Sequence, residues 1–276
     1  MSTIQKKQKR RRYPSDISKN GWHQLKKLFS WPQACPGKAG RPAADLREVI
    51  NAIFYVVKTG CSWRSMPHDL VLWQTAYGYF NQWSKEGTWE WIHTEFVRKL
   101  RRKAKRKVYP SAGSLDSQSI KTSACGGSNR GYDAGKQIKG HKRFILTDTQ
   151  GLLLAVWVCA ASVSEKQGAM HLLRYIKRVD YLAKLCQRIK LVWVDGGYRG
   201  EGLLDYVKKL WGWCWQVVLR SDNTKGFQLL PRRWVVERTF AWILQARRLN
   251  KDYEKNRRNS QSMVYLAMLT IMLKRL

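Results

Sequence analysis

The sequence is poor in acidic residues, and this shortage points to the kind of partner that the protein has. Its 276 residues include 19 Asp and Glu against 52 Lys and Arg, which gives a formal net charge of +33. A folded chain with so large an excess of one charge repels itself unless a polyanion compensates it. Nucleic acid is the first candidate for that polyanion, and an anionic membrane surface is the second.

Long apolar runs are also missing. No run approaches the roughly 18 residues that a membrane-spanning helix needs, and no basic amphipathic helix has a clean apolar face. The basic residues between Lys6 and Arg12 are not followed by the apolar segment of a signal peptide. We therefore expect no membrane partner. We expect residues 1–15 to be a basic tail, either solvated and disordered or in contact with nucleic-acid phosphates.

Paired cysteines are absent as well. The six cysteines are scattered, without a C-x-x-C pair and without a histidine at ligand spacing. This pattern argues against a zinc site and against a disulfide framework. It is typical of reduced cysteines in a cytoplasmic protein.

A helical pattern fills residues 16–108. Apolar side chains recur at helical spacing over 45–57 and stop before Gly60, a proline-broken stretch covers 61–67, and a second helix is predicted over Leu72–Ser84. Helix, tight turn, short element and helix form the pattern of a helix-turn-helix DNA reader. On its polar face Gln74, Thr75 and Asn81 are then the candidates for base contacts. The alternative is an ordinary helical bundle, in which the aromatic residues of the second helix form only a core.

A basic run over 98–107 separates this part from the rest. Such a run predicts a solvated linker, or a segment that follows a phosphate backbone. After Pro110 the pattern becomes alternating α/β. Strands are predicted over 114–116, 143–148, 152–158, 190–195 and 215–219, and helices over 169–182, 202–210, 232–249 and 262–273. This order predicts a ribonuclease-H-like domain over 109–276.

Three carboxylates lie where that fold would bring side chains together. Asp116 belongs to the first strand, Asp195 follows the fourth, and Glu237 lies in a largely apolar helix that we expect to be buried. Each also has an ordinary interpretation, as a cap, a turn residue or a solvated helix residue. Three acids so close require cations, because like charges raise one another's pKa. Two Mg²⁺ ions about 4 Å apart, with Mn²⁺ as the alternative ion, would serve phosphoryl displacement.

Several strings of the chain resemble one family over nearly the whole length. They are Thr59–Arg64, Asp116–Thr122, Gly131–Lys136, Asp195–Tyr198, Leu230–Trp242 and Arg247–Leu249. On these residues the chain is similar to bacterial insertion-sequence transposases of the "insertion sequence five" family, within the DDE superfamily. The resemblance implies that Asp116, Asp195 and Glu237 are the catalytic acids and metal ligands. It also implies a helical DNA-binding module followed by a ribonuclease-H-like domain.

The implied activity is DNA transposition. Such an enzyme binds the terminal inverted repeats of the element, hydrolyses a phosphodiester at each end and joins the 3′-OH to target DNA. We expect it to act as a homodimer or larger assembly on DNA, in the cytoplasm and associated with the nucleoid. Two alternatives remain: a nuclease of the same fold that cuts without joining, and a DNA-binding repressor without catalysis.

The chain departs from its relatives around the third acid. Their Tyr-x2-Arg-x3-Glu-x6-Lys signature keeps Arg233 and Glu237 here, but Leu230 replaces the Tyr and Leu244 the Lys. On one helix Arg233 and Arg248 would share a face with Glu237 and hold phosphates. The short spacing between Leu219 and Arg232 leaves no room for a large insertion domain.

Further candidates for contacts with DNA phosphates are Lys121, Lys136 and Arg238. The stretch 121–143 is rich in Gly, Lys and Arg, and it is either a flexible surface hairpin or a segment lying along DNA. His141, within it, is expected to be a DNA contact or a bystander rather than a metal ligand.

Overall fold

Four helices precede the first strand in the computed structural model, which describes residues 10–29, 44–124, 126–127, 129–218 and 234–276. They are α1 (Lys19–Lys26), α2 (Leu46–Thr59), α3 (Trp73–Lys85) and α4 (Thr88–Lys103), with a short 3-10 turn at Trp63–Ser65. The Asp45 side chain caps α2 by accepting from the Arg47 amide at 2.9 Å. Gly60 ends it at φ 75°, a left-handed conformation that favours glycine. The predicted helices at 45–57 and 72–84 are thus confirmed.

The aromatic residues of this helical part face inward. Trp63 packs on Phe80 with ring centroids 5.3 Å apart, and Trp83 packs edge-on against Trp89 at 5.0 Å. All four rings are buried. The aromatic stripe of α3 therefore forms a core, as the bundle alternative predicts for these side chains, while the polar face of α3 points away from it.

The basic run at 98–107 is not a solvated linker over its first half, which corrects the expectation. It continues α4 to Lys103, and α4 packs against the last helix and the sheet. Arg101 is buried and forms an ion pair with the buried Asp148 of the α/β part. A cation that stays charged when buried needs such a partner, so this arginine belongs to the core of the fold.

The α/β part is built on one six-stranded sheet. Its strands are β1 (Ala112–Lys121), β2 (Gly131–Asp133), β3 (Ile138–Asp148), β4 (Leu153–Ala160), β5 (Leu191–Val194) and β6 (Cys214–Val217). The order is β2-β3-β1-β5-β6, and β4 also pairs with β3. β1, β3 and β4 are antiparallel neighbours, whereas β1, β5 and β6 run parallel. The fold of this part is mixed α/β.

Helices cover both faces of the sheet. They are α5 (Glu165–Arg178), α6 (Asp180–Cys186), α7 (Glu201–Trp211), α8 (Trp234–Leu244) and α9 (Arg257–Leu273). Phe144 of β3 faces α5, where a Cβ on Gly168 would lie 2.0 Å from its ring, so only glycine allows this approach. Arg143 points to the opposite face and donates to the Leu249 carbonyl at 2.9 Å. No helix in the described part of the chain is long and apolar enough to cross a membrane.

The structure refines several predicted elements. The helix predicted over 232–249 is α8 only to Leu244, followed by a separate 3-10 turn at Arg247–Leu249. The glycine-rich stretch 121–143 contains β2 and the first residues of β3, which pair as a hairpin. Position 219 of the last predicted strand and positions 232–233 of the predicted helix lie outside the described residues.

A buried carboxyl group joins the two parts of the chain. Glu90 of α4 accepts hydrogen bonds from the hydroxyls of Tyr175, Tyr265 and Tyr181, at 2.5, 2.7 and 3.1 Å. Burial raises the pKa of Glu90, and the three hydroxyls partly offset this effect. These tyrosines lie on α5, α9 and α6, so the helical part shares its core with the α/β part.

Candidate active site

Two of the three predicted acids follow the paired residues of neighbouring strands. β1 and β5 are parallel, with Ser114 opposite Trp193. Asp116 lies two residues beyond Ser114 within β1, and Asp195 lies two residues beyond Trp193, directly after the end of β5. Asp195 caps the 3-10 turn at Gly196–Tyr198, where its Oδ1 accepts from the Gly197 amide at 2.9 Å.

The pKa of a buried tyrosine is raised by several carboxylates near Asp195. Tyr198 is fully buried in the turn after Asp195. Burial raises the pKa of Tyr198 well above its usual value, and the negative charges of Asp116, Asp195 and Glu165 raise it further, against a lowering hydrogen bond with Ser117. Three carboxylates therefore act on one hydroxyl, which stays protonated.

Glu165 was not among the predicted site residues. It is the first residue of α5, directly after Ser164, whose side chain caps the helix. A Cβ built on Gly197 would lie 3.4 Å from the Glu165 Cγ and 3.1 Å from the Asp195 Oδ1. A signal for it exists in the topology: β4 runs parallel to β1 and β5, so an acid just beyond β4 reaches the same edge as Asp116 and Asp195.

The third predicted acid lies on α8. Glu237 is exposed, although its neighbours Val235, Val236 and Phe240 are buried. The expected burial of Glu237 is therefore wrong: it stands on the outer side of a helix whose other side packs on β1 and β3. Arg143 of β3 reaches Leu249 on the sheet face that α8 covers. Gln118 of β1 pairs with Arg143 and therefore points to the same face. Asp116, two residues from Gln118 on the strand, points to that face as well.

Carboxylate groups suit a hard divalent cation, because carboxylate oxygens are the ligands that Mg²⁺ prefers in proteins. Among the residues that the structure describes, no group of three or more His, Cys, Asp or Glu side chains is close enough to hold a metal ion. Asp116 and Asp195 both act on the Tyr198 hydroxyl, and in the described part of the chain no such group joins Glu237 to them.

Two of the arginines predicted to hold phosphates are engaged within the protein. Arg248 is buried and donates to Glu254 Oε1 from Nε at 3.0 Å and Nη2 at 2.8 Å, and to the Cys61 carbonyl at 3.1 Å. The end of α8 at Leu244 also removes it from the helical face of Glu237. Arg238 lies between the rings of Trp234 and Trp242 and donates to the Gln150 carbonyl at 3.0 Å. Both guanidinium groups therefore have partners within the protein, and their contact with DNA phosphates stays a prediction.

The other predicted residues are distributed as follows. Arg233 lies outside the described residues, whereas Lys121, the last residue of β1, and Lys136, in the turn between β2 and β3, are exposed. His141 is buried with Nδ1 3.0 Å from Asp252, so it is a bystander and not a surface contact for DNA. On α3, Gln74 is exposed and Thr75 half-buried. Asn81 accepts from Asn259 of α9 at 3.3 Å, which gives it a partner within the protein.

Comparisons with known proteins identify the family of this chain. The family model described as "Transposase DDE domain" matches residues 110–272, more than half of the chain. The model described as "Putative transposase of IS4/5 family" matches residues 17–93.

Two proteins of Burkholderia cepacia are similar to parts of the chain. One, described as "Putative transposase for insertion sequence element IS402", is 32% identical over 121 residues, which cover 42% of this chain and 54% of that protein. The other, described as "Insertion element IS402 uncharacterized 16.2 kDa protein", is 29% identical over 89 residues, which cover 32% of this chain and 59% of that protein. The chain thus spans a little over half the length of these relatives, and no solved structure is significantly similar to it. With a family match over more than half of its length, the chain belongs to the DDE-domain transposases, as a bacterial insertion-sequence transposase of the IS4/5 type.

Proposed function

We propose that this protein binds the terminal inverted repeats of an insertion sequence, hydrolyses a phosphodiester at each end and joins the resulting 3′-OH ends to target DNA. The observation that supports the proposal is that Asp116 of β1 and Asp195, which follows the parallel strand β5, both raise the pKa of the buried Tyr198 hydroxyl. The family match makes transposition the chemistry that such a pair serves.

The proposed fold of the catalytic part is ribonuclease-H-like. Its support is the strand order: without the short β2, the sheet reads β4-β3-β1-β5-β6, with three antiparallel strands followed by two parallel ones. Helices follow β4, β5 and β6, as the α/β alternation of the sequence predicts. In this fold the acids lie on the first strand, after the fourth strand and on a helix that faces them. The corresponding residues here would be Asp116, Asp195 and Glu237 of α8.

These three acids would hold the metal, with Mg²⁺ as the proposed ion and Mn²⁺ as its substitute. When bound, a pair of such ions supplies an activated oxygen nucleophile and charge neutralisation for the leaving oxygen. Asp116 would act from β1, and Asp195 would act from the turn after β5. The Gly197 amide donates to the Asp195 carboxylate and holds it in this turn. Glu237 approaches from the exposed side of α8. No covalent protein intermediate is required, so no Ser or Tyr nucleophile is needed.

The proposed DNA interface has two parts. The helical part, proposed as residues 16–108, would read the end sequence through the unit of α2, the 3-10 turn and α3, with Gln74 and Thr75 on its polar face. The β2–β3 hairpin and the neighbouring end of β1 would hold phosphates through Lys136 and Lys121, which are exposed. Arg233 remains a proposed phosphate contact next to Glu237. Cutting two ends requires at least two copies on DNA, so we propose a homodimer or larger assembly.

Mapping the products on native element ends tests this function. The purified full-length chain is incubated with Mg²⁺ and labelled end DNA, with a supercoiled plasmid as target. We expect cuts at the element boundary and covalently joined plasmid products. Cuts without joined products would identify a nuclease. Specific binding without cuts would identify a repressor, and either result would overturn the proposal.

A further inference from the structure

Lys142 of β3 carries a buried ammonium group shared by two carboxylates that are far apart in the sequence. Its side chain is 4% exposed. The Nζ atom lies 3.0 Å from Glu165 Oε1, 3.3 Å from Asp133 Oδ2 and 3.0 Å from the Val163 carbonyl oxygen. One buried cation therefore joins β2 to the N-terminus of α5.

On one side Lys142 holds the β2–β3 hairpin. Asp133 is the last residue of β2, and its Oδ2 also accepts from the Ser119 hydroxyl of β1 at 2.5 Å. Its Oδ1 accepts from the Lys136 amide in the hairpin turn at 3.2 Å. The Asp133 carboxylate thus fixes the turn that presents Lys136, one of the proposed phosphate contacts.

On the other side Lys142 pairs with Glu165, which lies beside the turn that carries Asp195. α5 contacts this turn, and the Glu165 charge acts on the Tyr198 hydroxyl within it. A Cβ added to Gly197 would lie 3.4 Å from Glu165 Cγ and 3.1 Å from Asp195 Oδ1, so both side chains border the same backbone position. The packing of the turn therefore depends on where Glu165 lies.

Removing the ammonium group would affect both sides at once. Breaking a buried ion pair by removal of one partner leaves an uncompensated charge that the protein accommodates only by moving or hydrating it. Without Lys142, two carboxylates at 11% and 33% side-chain exposure would face each other with no cation between them. Like charges repel, so the hairpin and the Asp195 turn would separate.

We propose that Lys142 is a positioning residue whose ammonium group, held between Asp133 and Glu165, couples the orientation of the β2–β3 hairpin to that of the Asp195 turn. Lys142 thereby fixes the position of DNA bound at the hairpin relative to the Asp195 carboxylate. This reading of the coupling rests on the proposed function only in assigning DNA to the hairpin. The coupling itself is a property of the protein alone.

Hydrogen exchange on the full-length protein, without DNA and without metal, tests the coupling. The informative amides are those of Gly197, Tyr198 and Arg199 in the turn, and those of 131–136 in the hairpin. Lys142→Met should speed exchange by about tenfold or more in both segments. Asp133→Asn, which removes charge only in the hairpin, should also speed exchange at 197–199. Glu165→Gln, which removes charge only beside the turn, should also speed exchange at 131–136.

Two further variants complete the experiment. Lys142→Arg keeps the cation and should restore slow exchange in both segments. Lys139→Met makes the same change as Lys142→Met on an exposed lysine of the same strand, and it should leave both segments unchanged. If Lys142→Met does not fold, the size-preserving Asp133→Asn and Glu165→Gln variants still decide the question.

The result that overturns the proposal is strictly local loosening. If Asp133→Asn speeds exchange only in the hairpin, and Glu165→Gln only at the turn, Lys142 does not couple them. Because no cleavage is measured, this failure is distinct from failure of the proposed function. Coupled exchange without transposition would support the coupling and contradict the proposed function. Transposition with strictly local exchange would support the function and contradict the coupling.

Discussion

At the scale of single residues, Asp116 lies in β1, and Asp195 directly follows β5, the parallel neighbour of β1. Both charges raise the pKa of the same buried hydroxyl, that of Tyr198. Like charges that lie close together repel each other, and a bound cation relieves this repulsion. We propose that the two acids form a cation site with Glu237 as the third ligand.

Removing one charge at a time tests the three acids. Asp116→Asn, Asp195→Asn and Glu237→Gln should each reduce end cleavage by about a thousandfold or more, because each removes an anionic oxygen from the proposed metal site. Affinity for end DNA should stay within about threefold, since none of the acids is proposed to grip DNA. The matched control is Asp205→Asn, an exposed acid of α7, which should cleave normally. Normal cleavage in any of the three variants would remove that residue from the site.

A second residue-scale prediction concerns the stability that Asp252 contributes. Burial alone would raise the pKa of Asp252, but the hydrogen bond with His141, the charge of Arg143 and the Ser260 hydroxyl together hold it below its usual value. A lowered folded-state pKa gives stability that is present above the unfolded pKa of 3.8 and lost as the pH falls through the folded pKa.

Asp252→Asn should therefore destabilise the protein at pH 7 by about 3 kcal/mol, as expected when a buried charged partner is removed. The difference from the unmutated chain should shrink below about pH 4, where that chain loses the same contribution. Urea unfolding at pH 7 and at pH 3.5 measures both values. A difference that is equal at the two pH values would show that the carboxylate charge is not what stabilises this cluster.

At the scale of elements, the apolar strands were predictable because their signal is local. The runs at 143–148 and 152–158 lie almost entirely within β3 and β4, and 190–195 contains β5. The predicted helix at 169–182 is instead α5 and α6, separated at Val179, whose backbone is extended.

The elements that were mispredicted depend on contacts distant in sequence. The stretch after Leu244 leaves the helix where Arg248 bonds to the Cys61 carbonyl, 187 positions away in the chain. The first half of the basic run is helical, and its Arg101 is buried in an ion pair with Asp148, 47 positions away in the chain. The site shows the same limit. Asp116 and Asp195 could be predicted because each ends a strand predicted from local sequence. Glu165 could not, because its place beside them depends on the direction of β4 in the sheet.

The proposed role of α3 in base reading gives the element-scale prediction. The double variant Gln74→Ala/Thr75→Ala should reduce the preference for the element end over random duplex by about tenfold or more, since a good base contact contributes about 1–3 kcal/mol of discrimination. Competition binding with both duplexes measures the ratio. Asn81→Ala serves as the internal comparison, because its bond to Asn259 predicts lower thermal stability with unchanged preference. An unchanged ratio in the double variant would contradict the assignment of α3 to base reading.

At the scale of the whole molecule, the formal charge of +33 demands a polyanionic partner. If about eight phosphates are neutralised, the logarithm of the binding constant should fall with the logarithm of salt concentration at a slope near −7. Titrations of fluorescent duplex between 50 and 300 mM salt measure this slope, at roughly −0.9 per phosphate contact. A slope shallower than about −3 would mean that most of the excess charge does not contact DNA.

Metal exchange on an assembled complex tests most directly whether this chain is a metal-dependent transposase. Ca²⁺ takes 6–8 oxygen ligands in flexible geometry, so it neutralises the acids without enforcing the strict octahedral geometry of Mg²⁺. The complex with end DNA is formed in Ca²⁺, observed by gel shift, and then given excess Mg²⁺. We predict a stable uncut complex in Ca²⁺, cleavage and joining after the Mg²⁺ addition, and neither product with Asp195→Asn. Full cleavage in Ca²⁺ alone, or in EDTA, would contradict a two-metal site at Asp116, Asp195 and Glu237.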